Sequence, residues 1–190
     1  MPMTRTFLAI EVDAPTRTFM AARVATLRSL LPSVRFVAAD TWHLTLAFLG
    51  DLDEAQVQAA CASAAAVAHA TAPFVVRVAG LGTFGDATAP RVIWLGVAGM
   101  LAELRACQER VGTALDRAGL GHDGRFSPHL TLARLRQPLP PTEAAALQEA
   151  QTQASVGPDF TVTHIAVMRS DLTPSGARYS ALARAPLAGA

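Results

Sequence analysis

His43-Leu44-Thr45-Leu46-Ala47, inside WHLTLAFLG, and His129-Leu130-Thr131-Leu132-Ala133, inside SPHLTLARL, are the same five residues. Chance does not readily produce two identical pentapeptides in a chain of 190 residues. Both copies lie in apolar, β-prone surroundings. In a strand, successive side chains point to opposite faces. His43 and Thr45 therefore share one face, and Leu44 and Leu46 the other. His129 and Thr131 stand to Leu130 and Leu132 in the same way. Each copy presents an imidazole and a hydroxyl while its leucines anchor in a core. Two copies face to face make a site of two imidazoles and two hydroxyls, a set able to act as acid, base and hydrogen-bond donors.

A repeat kept only for packing needs matching leucines, not matching polar residues on the opposite face. The duplicated His and Thr therefore point to chemistry. Zinc is a poor reading, because two His without nearby Asp, Glu or Cys leave the ion under-coordinated and Thr is not a usual ligand. Metal-free phosphoryl transfer suits the set. In an in-line displacement, one His takes a proton from the nucleophile and the other gives one to the leaving oxygen. Imidazole, with a reference pKa of about 6.5, can do either near neutral pH. The two Thr hydroxyls can donate to the non-bridging oxygens, where charge develops.

The rest of the chain reads as elements around these motifs. Strands are expected at Phe7–Val12, around the first motif within Phe36–Leu49, at Phe74–Val78, Val92–Val97, around the second motif within Phe126–Leu135, at Phe160–Arg169 and at Tyr179–Ala185. Helices are expected at Pro15–Leu31, with Phe19, Ala22, Val24, Leu27 and Leu30 apolar and Pro32 as the stop, and at Asp53–His69, Met100–Ala118 and Thr142–Gln153. Gly119 and Gly121 close the third helix, and the TPSG segment reads as a turn before the last strand. The unit strand, helix, HxT strand occurs twice, which implies two related lobes flanking a central cleft. No linker is long enough to divide residues 1–190 into independent domains.

Bulk properties narrow the function. Hydrophobic residues make up 51% of the chain and mean hydropathy is +0.30, ample for a core. All 16 basic residues are Arg and the net charge is +1. That argues against a duplex-tracking surface, which needs a basic stripe, but not against gripping one strand end. No stretch approaches the roughly 18 apolar residues of a membrane span, and the start of the chain lacks a signal peptide. Cys61 and Cys107 fit buried thiols in a reducing compartment. A cytoplasmic monomer without an obligate protein partner is expected.

With its surroundings, the repeat resembles the 2H phosphoesterase superfamily. RTFLAIEV, WHLTLAFLGDL, GLGTFG with PRVIWLGV, FSPHLTLARL and RSDLTPSGARYSAL together resemble its bacterial RNA 2′,3′-cyclic phosphodiesterase (2′-5′ RNA ligase) branch, from about Arg5 to Leu187. The resemblance implies an α+β, bilobal fold, with two pseudo-two-fold related lobes of antiparallel sheet and outer helices around a cleft. It implies metal-independent, cofactor-free opening of RNA-terminal 2′,3′-cyclic phosphates to 2′-phosphates, with 2′-5′ ligation as the reverse reaction. On this chain His43 matches the proton donor to the leaving 3′ oxygen, His129 the base that activates water, and Thr45 and Thr131 the phosphate binders. Arg134 matches a phosphate-holding arginine and Phe48 a position that lines the site. An ideal strand would turn Arg134 and Phe48 away from their motifs' polar faces, so a bulge, a strand end or the arginine's own reach must bring Arg134 round. The same parity favours the core for Phe48. Two alternatives remain: a phosphodiesterase for a small cyclic or 2′-5′ nucleotide, and a nucleotide-binding module without turnover.

Three other features read as neutral. Gly80–Gly85, GLGTFG, has the dinucleotide-binding spacing, but Pro90 and another strand follow where that motif needs a helix; a loop bordering the cleft is expected. His122, in GHDGR, reads as a surface loop residue within reach of RNA. His69 and His164 read as core or surface.

Overall fold

The computed structural model describes residues 3–86, 89–124, 126–153, 156–174 and 176–189. It contains β1 (Thr4–Glu11), α1 (Ala14–Leu30), β2 (His43–Leu52), α2 (Glu54–His69), β3 (Phe74–Asp86), β4 (Ala89–Gly99), α3 (Leu101–Arg117), β5 (His129–Arg134), α4 (Pro141–Thr152), β6 (Val156–Val162), β7 (His164–Thr173) and β8 (Gly176–Pro186). The helices begin where local chemistry starts them. Asp13 caps α1 by accepting from the Thr16 N–H at 2.9 Å, and Asp53 and Gln56 form a reciprocal capping box on α2. Met20, Val24 and Leu27 carry the buried stripe of α1, whereas Leu30 is largely exposed.

All eight strands join one antiparallel sheet in the order β6-β3-β4-β5-β2-β1-β7-β8. Its two halves, β6-β3-β4-β5 and β2-β1-β7-β8, meet at the central pair, where the ladder registers only Leu44 opposite Leu130. The strand expected at Phe160–Arg169 is in fact two, because Thr163 separates β6 from β7. β6 lies at one edge of the sheet and β7 next to the other edge. One intervening residue can span only about 7 Å, so the sheet must curl until its two ends meet. That closure makes the structure bilobal and hollows one face into a cleft.

The main core runs through both halves, from Leu8, Ile10 and Leu44 to Leu95, Leu130 and Leu132, and includes the buried stripes of all four helices. A smaller apolar cluster, Phe7, Ala9, Ala166 and Met168 with Tyr179 and Ala181 against it, forms separately. The GLGTFG segment is strand, not loop: β3 continues from Phe74 to Asp86 and pairs with β4 throughout. The physical reason lies at Gly82, where an added Cβ would sit 2.2 Å from the Trp94 ring. The glycine leaves room for an indole to lie across the strand. In the TPSG turn, Ser175 lies outside the described residues; Thr173 and Gly176 are ladder partners on either side of it. Among the described residues, no helix is long and apolar enough to cross a membrane. Cys61 and Cys107 are free thiols.

Candidate active site

The motif strands β2 and β5 lie side by side at the centre of the curl. Along each, His is half-buried, Leu buried, Thr half-buried, the next two residues buried and the sixth exposed. Two consecutive buried residues break the alternation, and the ladders show why. Ala9 pairs with Thr45 but Leu8 with Ala47, leaving Leu46 as an extra residue. Trp94 pairs with Thr131 but Ile93 with Ala133, leaving Leu132 as an extra residue. Each copy thus carries a bulge at its second leucine, and a bulge reverses the parity of everything beyond it. Arg134 and Phe48, expected on the far face by strict alternation, are returned to the face of the imidazoles. Phe48 is 37% exposed and not in the core, and it pairs across the ladder with Phe7.

Each bulge has its own support. The Leu46 carbonyl accepts from Gln108 Nε2 of α3 at 3.4 Å. The Leu132 carbonyl accepts from the Val37 N–H at 2.8 Å, beside a bridge between Phe36 and Ala133. Phe36 and Val37 therefore prop the second copy, and the strand proper begins only at His43.

The imidazoles are held alike. His43 Nδ1 lies 2.7 Å from the Thr41 carbonyl, and His129 Nδ1 lies 2.7 Å from the Ser127 carbonyl. A carbonyl can only accept, so each Nδ1 carries the proton and each Nε2 carries the lone pair. His43 Nε2 is 3.0 Å from Thr45 Oγ1. Aromatic rings flank both. Phe7 lies 4.7 Å and Tyr179 5.2 Å from the His43 ring centroid. Phe84 lies 4.8 Å and Trp94 6.5 Å from that of His129. Alternation in RTFLAIEV could have placed Phe7 beside a motif. Trp94 was beyond sequence reading, because its seat depends on Gly82.

Burial dominates the electrostatics. It pushes His43 down to about 4; the bond to the Thr41 carbonyl opposes this, and the Arg134 and His129 charges add to it. His129 is also lowered, first by burial and then by Arg134, against the bond to Ser127. His43 and His129 are thus close enough to couple, and Arg134 acts on both. In the free protein burial thus favours the uncharged form of both imidazoles.

Two of the remaining histidines have acidic partners. His122 rests against Gly112 of α3 and pairs with Asp116 at 3.2 Å. His164 bonds Glu11 at 2.8 Å, and Glu11 also takes a two-pronged contact from Arg184; His164 is a partnered side chain, not an isolated one. Among the described residues no group of three His, Cys, Asp or Glu is arranged to hold a metal.

A family model described as the 2′-5′ RNA ligase superfamily matches residues 16–174. An RNA 2′,3′-cyclic phosphodiesterase of Geobacillus stearothermophilus is 35% identical over 97% of this chain, which spans only 57% of that relative's length. One of the same name from Methanothermobacter thermautotrophicus is 28% identical over 93% of this chain and 95% of its own. Among solved structures, a Thermus thermophilus protein superimposes with a TM-score of 0.80 at 27% identity, covering 97% of this chain and 98% of its own. Escherichia coli LigT complexed with 3′-AMP superimposes with a TM-score of 0.73 at 25% identity, covering 98% and 99%.

Proposed function

The chain belongs to the 2′-5′ RNA ligase superfamily, and from that membership we propose that it is a metal-independent phosphodiesterase that opens RNA-terminal 2′,3′-cyclic phosphates to 2′-phosphates. The observation that carries this reading is the duplicated imidazole: two His on one cleft face, each with Nδ1–H tied to a carbonyl, so that each Nε2 carries the lone pair. One such group can bind an anion; two can pass a proton in and another out. The names of the relatives supply the substrate class.

In the proposed step, a water oxygen adds to phosphorus as the bond from phosphorus to the 3′ oxygen breaks. His129 Nε2 takes the water's proton. His43, protonated at Nε2, gives its proton to the departing 3′ oxygen, and the phosphate stays on the 2′ oxygen. Thr45, Thr131 and Arg134 hold the non-bridging oxygens as charge builds there. Phe48 offers an apolar face to the nucleoside. His43 must gain a proton that the free protein does not give it. The phosphodiester provides the cause, since an anion seated against the ring favours the imidazolium. With a 5′-hydroxyl in place of water as the nucleophile, the same groups in the same roles make a 2′-5′ bond and free the 3′-hydroxyl; run backwards, that step cleaves the 2′-5′ bond and restores the cyclic phosphate.

The test uses a short RNA ending in a 2′,3′-cyclic phosphate, with chelator present, and product chromatography against 2′- and 3′-phosphate standards. Turnover to the 2′-phosphate is expected. A 3′-phosphate product would reverse the roles given to the two oxygens, and activity confined to small cyclic or 2′-5′ nucleotides would replace the RNA end as substrate.

A further inference from the structure

Arg5 stands on the cleft face and is used by none of the steps above. It alternates with Phe7 along β1, and Phe7 touches the His43 ring, so both side chains face the cleft. The Arg5 guanidinium lies 4.6 Å over the centre of the Phe48 ring. Asp51 is its ladder partner, yet no ion pair or hydrogen bond of the Arg5 side chain occurs among the described residues. A half-buried cation therefore rests on an aromatic face, with no polar partner among the described residues.

A nucleobase stacked between Arg5 and Phe48 would need about 7 Å, two van der Waals layers. The 4.6 Å gap has no room for it. For a base to use this face of Phe48, the guanidinium must leave. Where it goes depends on the ligand. The terminal nucleotide of an RNA carries a phosphodiester on its 5′ side, an anion that guanidinium grips in two-pronged fashion. A cyclic mononucleotide with a free 5′-hydroxyl offers nothing in exchange.

Resting on the RNA-end reading above, we propose that Arg5 is a specificity-determining residue. It covers Phe48 in the free protein and moves onto the phosphate 5′ of the terminal nucleotide when substrate enters. The cleft thereby favours polynucleotide ends over mononucleotides.

Three substrates test this: adenosine 2′,3′-cyclic phosphate with a 5′-hydroxyl, the same compound with a 5′-phosphate, and a dinucleotide ending in a cyclic phosphate. Arg5→Ala should lose roughly tenfold or more in kcat/KM on the second and third, the scale of a charge-assisted contact. On the first it should be unchanged or gain up to about fivefold, the size of an exposed cation–π cap. Arg5→Lys keeps the charge and should fall between wild type and Arg5→Ala on the two phosphate-bearing substrates. Equal losses on all three substrates, or a lysine variant as poor as alanine, would overturn the role of Arg5. A wild-type protein that turns over none of them would refute the RNA-end reading itself.

Discussion

The two HLTLA strands share a sequence, a bulge and a burial pattern, and differ in everything they touch. On β2 the residue delivered by the bulge is Phe48; on β5 it is Arg134. His43 is flanked by Phe7 and Tyr179 and faces Glu11 in the ladder; His129 is flanked by Phe84 and Trp94 and faces Gly96. The repeat thus supplies imidazoles in duplicate, and the residues just beyond it make the duplicates unequal. On the function proposed above, Phe48 beside one copy and Arg134 beside the other would favour one orientation of the substrate. Two bare copies would leave acid and base interchangeable.

Removing either imidazole should have the largest effect. His43→Ala and His129→Ala are each expected to lower kcat by at least about 10²-fold, the usual scale of general acid–base catalysis. Because both act in one step, the double variant should lose much less than the product of the single losses. Thr45→Ala and Thr131→Ala should each lose less than their own His. Single-turnover rates on a cyclic-phosphate RNA decide it; a His variant retaining near wild-type turnover would end the two-imidazole mechanism.

Arg134 comes next, because it is the charge that makes one lobe unlike the other. It lowers both imidazoles, so they lose their protons at lower pH than isolated His. kcat/KM reports the free enzyme; its bell should therefore lie on the acid side of about 6.5, with limbs belonging to the coupled pair. kcat reports the complex, where the bound anion raises both groups, so its alkaline limb should lie at higher pH. Arg134→Gln removes the lowering charge, and both limbs of kcat/KM should shift upward while activity drops by about tenfold or more. Limbs that stay in place in this variant would show that Arg134 acts by contact alone.

That same residue marks the limit of the sequence. The candidate chemistry was legible in it because His and Thr recur at spacing two, and the helices because Asp53, the stop at Pro32, the closing Gly119 and the apolar stripe of the first helix announce them. Which face Arg134 and Phe48 take was not legible. Parity arguments assume unbroken pairing, and the extra residues Leu46 and Leu132 appear only when a neighbouring strand sets the register. The split at Thr163 was hidden for a related reason. TVTHIAVM is continuously β-prone, and only the partners of its two ends, β3 and β1, assign them to opposite halves.

The bulges offer the finest test of the inequality, and the smallest expected effect. Leu132 is held by a backbone N–H, which no side-chain substitution removes. Leu46 depends on Gln108, a side chain only 6% exposed. Gln108→Met keeps the length and apolar stem but removes the donor, leaving a buried carbonyl without that bond at a cost of about 1–2 kcal/mol. For a chain of this size that is a fall in Tm of roughly 2–8 °C. The strain falls on β2, close to Phe48 and on the opposite side of the bulge from His43. The expected kinetic signature is therefore a KM raised by a few fold with kcat nearly unchanged, since nucleoside contact is loosened while the imidazoles stay tied to their carbonyls. Thermal melting combined with steady-state kinetics would separate the outcomes. A fall in kcat matching that of the His variants would mean that the bulge positions His43 itself, and that the two copies are less independent than their supports suggest.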